Sequence, residues 1–366
     1  MQKRPWYKIE EEEKVASPAL LVYPEKVEQN IRTMIEMTGG PEKLRPHVKT
    51  HKMAEIIELQ LKHGITKFKC ATVTEAELLG RCKAPDVLLA MQPVGPNIGR
   101  FLDLMEHYPD TAFSALVDHD NVIDQIGTQA LERGVKAPLY LDLNVGMDRT
   151  GIRPSEKARS LYSMISEHDG LIPAGLHAYD GHIRNPDIEE RRKVCDAAFE
   201  AVTQMKSELE KEGFPVREVI AGGSPTFPVH AKREGVIASP GTTLLWDARY
   251  SESFPDMDFQ IAAVLLTRVI SKPAEGTLCL DLGHKSVAPE MDFPRVRIFG
   301  MEHTKQVGQS EEHLVLKTND ASETRMGEVR YAIPMHICPT VAKYPEALTV
   351  EHGKVTGAWR VAARDH

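Results

Sequence analysis

The chain has 366 residues, a formal net charge of -8 and 42% hydrophobic residues, the composition of an ordinary soluble globular protein and not of a fibrous, disordered or membrane-embedded one. Its acidic balance with interspersed signs excludes nucleic acid and anionic membrane as the main partner, since both require a basic face. A small molecule is the expected partner, and the length exceeds what one core normally supports, so a large domain followed by a second is expected.

Strand-like and helical runs alternate from residue 17 onward. Residues 19–23 read as a strand and 25–37 as a helix, with Val27, Ile31, Met34 and Ile35 at helical spacing. The apolar-flanked run Arg45-Pro46-His47-Val48-Lys49-Thr50-His51-Lys52 reads as a second strand, followed by a helix over 54–63. Further units begin at 67–72, 86–91, 112–117, 138–144, 172–179 and 218–221. Seven or eight strands alternating with helices predict a parallel (β/α)8 TIM-like barrel over residues 15–248, with its chemistry at the C-terminal ends of the strands. Past residue 249 the helical rhythm stops. Strands are expected at 259–270, 277–282, 296–299, 306–308, 313–316, 328–333 and 355–361, a β-rich C-terminal domain over 249–366 joined by residues 1–14. The acidic run 10–13 reads as a solvated connector.

The five cysteines, Cys70, Cys82, Cys195, Cys279 and Cys338, are odd in number and scattered. With no hydrophobic leader behind the basic start and no apolar run near the ~18 residues that span a bilayer, the expected compartment is the reducing cytoplasm.

Side chains two apart on a strand share a face, so His47, Lys49 and His51 are expected to converge. A lysine held between two imidazoles in a pocket has its amine pushed toward the neutral, nucleophilic form; the same lysine in a basic loop would simply be solvated. Two glycine-bearing runs come late in the barrel, Ala221-Gly222-Gly223-Ser224 and Ser239-Pro240-Gly241-Thr242. Such loops let backbone N–H groups and hydroxyls cradle phosphate oxygens, and the last two barrel loops are the usual place for it. An early lysine and a late phosphate cradle are what pyridoxal 5'-phosphate needs.

Arg149, in the turn after the apolar strand 138–144, can reach an oxyanion at the barrel mouth. His177 and Tyr179 share a strand face, and His182 falls in the loop beyond, where a general base could sit. In the second domain His336 and Cys338, two apart on an expected strand and so facing the same way, form a borderline-soft pair suited to a divalent metal with positions left open.

Taken together, RPHVKTHK, NVGMDRTG, GHIR and HIC-P resemble the D-threonine aldolase and D-serine dehydratase family, pyridoxal-phosphate enzymes of the alanine racemase-like fold (fold type III). The resemblance runs from about Ser17 to Cys338. It implies that Lys49 is the Schiff-base lysine and that Arg149 lies near the cofactor's phenolic oxygen, with His47 and Tyr179 beside it. It implies that Gly222, Gly223, Ser224, Gly241 and Thr242 hold the phosphate. His336 and Cys338 would bind zinc, manganese or magnesium, and a homodimer is implied.

The implied activity is a metal-dependent lyase acting on β-hydroxy D-amino acids. In the aldolase version His182 takes the hydroxyl proton and glycine and an aldehyde are released. In the dehydratase version, on D-serine or D-3-hydroxyaspartate, Lys49 takes the α-proton and a keto acid and ammonia result. An amino-acid racemase and a non-catalytic pyridoxal-phosphate carrier are the remaining readings.

Overall fold

Seven parallel strands form one sheet, and a single extended segment joins its two edges. The computed structural model describes residues 4–365, apart from the side chain of residue 320. Of the expected connector 1–14 and second domain 249–366, residues 1–3 and 366 therefore lie outside the described residues. The chain divides into two compact units: residues up to Ile31 with Thr50–Ile56 and Thr242–Arg364, and Arg32–Lys49 with Ile57–Gly241.

In the second of these units the strands Lys67–Cys70, Asp86–Leu89, Ala112–Val117, Ala137–Leu143, Leu171–Ala178, Glu218–Ala221 and Val236–Ala238 pair in chain order, all parallel. Leu44 bridges Ala238 and His47 bridges Lys69, so residues 44–47 act as the eighth stave. The Arg45 N–H bonds Ala238 O, the His47 N–H bonds Pro240 O and the Lys69 N–H bonds Pro46 O, at 2.8 to 2.9 Å. Parallel pairing needs long crossovers, and helices supply them. One example is Val73–Arg81, where the Thr72 hydroxyl accepts the Glu75 N–H and the Glu75 carboxylate reaches back to the Ala71 N–H, a close variant of a capping box.

Inside the barrel, Leu88, Leu116, Tyr140 and Ile220 form an apolar plug. At the strands' N-terminal ends Arg45, wholly buried, makes a bidentate pair with Asp86 at 2.7 and 2.9 Å and reaches Glu218 at 2.9 Å. Lys67 bonds the other Glu218 oxygen and the Tyr140 hydroxyl donates to the first. Each buried charge here is matched, the condition for tolerating it, and that end of a barrel is where side chains serve stability.

The other unit is a nine-stranded sheet. Ala263–Ser271 lies at its centre, antiparallel to Ala19–Val22, Thr277–Leu280 and Val329–Pro334, and Ala19–Val22 pairs in parallel with Glu346–Glu351. Ile9, Leu21, Tyr23, Val264, Leu266, Tyr331 and Val350 share one core, so part of the N-terminal segment packs onto this sheet.

Two local expectations differ from this arrangement, and one strand has no counterpart in the sequence reading. Residues 19–23 belong to this second sheet and not to the barrel; Leu20, Leu21 and Val22 are all buried, and a run apolar on both faces suits an interior strand of either sheet. The last barrel strand is Val236–Ala238, three residues long, too short to show a period. The run 45–52 is extended only to His47; Val48–Thr50 is one 3-10 turn and Lys52 has a φ of 58°. That turn breaks the shared face expected for residues 47, 49 and 51.

Candidate active site

At the strands' C-terminal ends of the barrel a cavity of about 410 Å³ is lined by His47, Lys49, Lys69, Asp142, Arg149, His177 and Tyr179 among others, a volume typical of small-ligand sites. The 3-10 turn aims Lys49 here: the Lys49 backbone N–H donates to His47 Nδ1 at 3.3 Å. Three cationic groups converge on the Tyr179 ring, Lys49 Nζ at 5.8 Å, Lys69 Nζ at 5.7 Å and Arg149 Cζ at 4.9 Å from its centroid. His51 does not line the cavity. It is fully buried, its Nδ1 accepts the Met53 N–H at 3.1 Å, and burial pushes its pKa down to about 3.

Arg149 sits on a preorganised turn. Asn144 Oδ1 accepts the N–H groups of Gly146 and Asp148, and the Gly151 N–H donates to Asp118 at 2.8 Å. His182 is exposed beside this turn: a Cβ on Gly146 would lie 3.0 Å from His182 Nε2.

The two glycine loops are adjacent, with the Gly241 N–H donating to Ser224 Oγ at 3.2 Å. Gly222 has a φ of +80°, and a Cβ there would lie 2.6 Å from the His230 ring; one on Gly223 would lie 2.7 Å from the Tyr179 ring. Only glycine fits, and the bare backbone beside a cavity holding Lys49 and Arg149 suits an aromatic aldehyde with an anionic tail such as pyridoxal phosphate. Thr242 opens a 3-10 turn in the other unit.

Behind the first glycine loop lies a cluster that sequence reasoning missed. Asp180, Cys195 and His230 are buried with their ligand-type atoms within 4.8 Å of one another. Asp180 accepts from His230 Nε2 and Thr226 Oγ1 at 2.7 and 2.6 Å, and the Gly223 N–H donates to Thr226 Oγ1. Burial first, then the Asp180 charge, push the Cys195 thiol up to about 12, so it stays protonated and donates to the carboxylate. As it stands the cluster is a hydrogen-bonded brace for the loop.

In the β-rich unit the strand ends at Pro334 and His336 precedes a short helix, Ile337–Val341, that carries Cys338, so the two do not share the strand face expected of them. His336 Nδ1 bonds Glu290 Oε1 at 2.5 Å. Burial opposes the ring's charge, but Cys338, Glu290 and Asp247 outweigh it and raise the His336 pKa to about 9. The hydroxyls of Thr50 and Thr242 lie 3.2 and 3.5 Å from Cys338 Sγ. An imidazole oriented by a carboxylate, with a sulfur beside it, is a donor set that suits a soft divalent ion.

The lysine whose amine is displaced furthest is Lys69, 2% exposed. Burial and then the Lys49 charge lower its pKa to about 7, against the pull of Asp142. Its Nζ lies 3.4 Å from His177 Nε2, while His177 Nδ1 bonds Asp142 Oδ1 at 2.7 Å. The only signal for it in the sequence is a strand that reads Lys-Phe-Lys-Cys, with lysines at both inward positions.

Residues 22–248 match the family described as alanine racemase, N-terminal domain, and residues 262–350 match a serine dehydratase domain. The D-threonine aldolase of Arthrobacter sp. is 26% identical over 96% of this chain and 93% of its own length. The 3-hydroxy-D-aspartate aldolase of Paracoccus denitrificans is 25% identical over 97% and 93%. The crystal structure of D-threonine aldolase from Filomicrobium marinum superimposes with a TM-score of 0.88 at 26% identity, covering 98% of both chains. No helix among the described residues is long and apolar enough to cross a membrane.

Proposed function

We propose that this chain, which belongs to the alanine racemase N-terminal domain family, is a D-threonine-type aldolase that cleaves β-hydroxy D-amino acids to glycine and an aldehyde. It is a pyridoxal-phosphate-dependent lyase acting on small D-amino acids. The observation that carries the reading is the amine of Lys49 on a cavity wall shared with Arg149 and Tyr179, in a unit whose two glycine loops are tied together by Ser224. Two aldolases are 26% and 25% identical, against 22% for the D-threo-3-hydroxyaspartate dehydratase of Delftia sp. over 90% of this chain, and that margin supports the choice of aldolase.

Lys49 would hold the cofactor's carbonyl carbon through its amine, and Gly222, Gly223, Ser224, Gly241 and Thr242 would hold the phosphate. The cofactor supplies an electron sink for bonds broken at the amino acid's α-carbon. Arg149, fixed by the Asn144 turn, offers a permanent cation to an oxyanion. Tyr179 supplies a flat apolar wall. His182, in the loop beside the Arg149 turn and outside the lining of the cavity, is assigned as the base that takes the β-hydroxyl proton. His336 and Cys338 would hold a divalent ion, which acidifies a bound hydroxyl, and Glu290 would keep the imidazole oriented.

The test is direct. Purified protein with pyridoxal phosphate and Zn²⁺ or Mn²⁺, given D-threonine, should release glycine and acetaldehyde; a keto acid with ammonia from D-serine instead would establish the dehydratase. Borohydride trapping followed by peptide mapping should place the cofactor on Lys49, and a label on any other lysine would overturn that assignment.

A further inference from the structure

On the reading above, we propose that Lys69 is a second catalytic amine of the cavity, carrying the proton that the amino acid's α-carbon receives when the Cα–Cβ bond breaks, with His177 and Asp142 holding that amine in place.

The argument begins with two inward lysines on one strand. Lys67 is neutralised by Glu218. Lys69 is the more deeply buried, yet among the described residues no carboxylate lies within ion-pair distance of its Nζ; its hydrogen-bond partner is the ring of His177. A buried ammonium without a counter-ion is costly, and a methionine would fill the space without that cost.

The bonding order is fixed by chemistry. An ionised Asp142 only accepts, so His177 Nδ1 carries the proton and Nε2 presents its lone pair to the amine. Burial lowers the His177 pKa further toward the neutral ring. Carboxylate, imidazole and amine in this sequence fix the Lys69 Nζ by one of its N–H bonds and leave the others free to reach into the cavity.

The charges around Lys69 set it between its two forms. Lys49 and Arg45 disfavour its ammonium, Asp142 and Asp180 favour it, and with burial the balance falls at about 7. His47 and Arg149 line the same cavity. An amine poised near neutrality both gives and takes a proton, as acid–base work requires. Lys49 is assigned to the cofactor's carbonyl carbon, and Lys69 is the second lysine on the same wall. The step balances: the hydroxyl proton leaves to the base, Cα–Cβ breaks, C=O forms in the aldehyde, the Nζ–H bond breaks and Cα–H forms in glycine. Solvent then takes the proton held by the base and returns one to Lys69.

Three measurements test this. In D₂O the loaded wild type should exchange the α-hydrogens of glycine, read by proton NMR. Lys69→Met should slow that exchange by about 10²-fold while keeping the bound-cofactor absorbance, which also reports an intact fold. Lys69→Arg keeps the charge but does not release a proton and should be equally slow; exchange within threefold of wild type in either variant overturns the proposal. The third readout needs no cofactor: ¹⁵N NMR of the lysine amines should show one group titrating near pH 7, absent in Lys69→Met, and titration of that group near 10.5 overturns the proposal. If wild type releases no glycine from any β-hydroxy D-amino acid, the aldolase reading fails whatever Lys69 does. Normal glycine release with unchanged exchange in Lys69→Met removes the role of Lys69 alone.

Discussion

Ser224 Oγ accepts the Gly241 N–H at 3.2 Å, so a single hydroxyl sets the spacing between the two glycine loops assigned to the cofactor's phosphate. The bond is buried. Ser224→Ala leaves that N–H without this acceptor, a loss of about 1 kcal/mol. The expected outcome is roughly fivefold weaker pyridoxal-phosphate binding by absorbance titration. Ser160→Ala, which removes an exposed bond to a helix carbonyl, should leave binding unchanged.

Gly222 and Gly213 have nearly the same backbone, φ +80° and +89°, but different surroundings. A Cβ on Gly213 meets nothing within 4 Å, whereas one on Gly222 meets the His230 ring at 2.6 Å. Gly213→Ala should therefore cost only the conformational penalty, about 1–2 kcal/mol, with cofactor affinity intact. Gly222→Ala should add displacement of His230 from Asp180, a larger fall in Tm and at least roughly tenfold weaker cofactor binding, the consequence of losing a buried charge-assisted hydrogen bond. Equal Tm values for the two variants would show that the Asp180 brace does not support the loop.

The strand–helix rhythm of the barrel was legible because each crossover helix is amphipathic and each strand is bounded by turn residues. What escaped was decided by tertiary pairing. Residues 19–22 find their partners in Ala263–Leu266 and Leu348–Thr349, contacts that no local pattern encodes. The strand Glu346–Glu351 reads as half polar and gains its place from the Ala19–Val22 edge. In the candidate site, Lys49, Arg149 and the glycine loops announced themselves because glycine, lysine and arginine are unusual at those places. Asp142, His177 and Lys69 come from three strands, and only closing the barrel brings them into one chain of contacts. Of the His47–Lys49–His51 triplet, His47 and Lys49 do meet at the cavity, and His51 is lost for a local reason: the chain leaves the extended form in a 3-10 turn at Val48–Thr50.

Glu290 offers a way to test the proposed metal site without touching its proposed ligands. Its carboxylate holds His336 Nδ1 at 2.5 Å, which leaves Nε2 for an ion and raises the ring's basicity. Glu290→Gln should weaken Zn²⁺ or Mn²⁺ binding by roughly 10–100-fold, measured by competition with a chromogenic chelator. His336→Ala and Cys338→Ser should each abolish stoichiometric binding, and chelation of wild type should stop aldehyde release, restored by adding the ion back. Retention of a full equivalent of metal in both ligand variants would place the ion elsewhere, with the Asp180–Cys195–His230 cluster as the next candidate.

His51 ties stability to acid. Its ring is wholly buried, and burial lowers its pKa from 6.5 to about 3. The folded protein therefore binds this proton less readily than the unfolded chain does. Stability from the neutral ring is fully present above pH 6.5 and is lost as pH falls toward 3, the sign expected when the unfolded state takes up more protons. Between pH 6.5 and 5 the loss should approach about 2 kcal/mol from this residue alone. His51→Asn keeps an acceptor for the Met53 N–H and removes the titration. Urea midpoints of the variant should change less than those of wild type between pH 7.5 and 5. Parallel lines for the two proteins across that range would mean that the His51 ring has the same pKa in the folded and unfolded states.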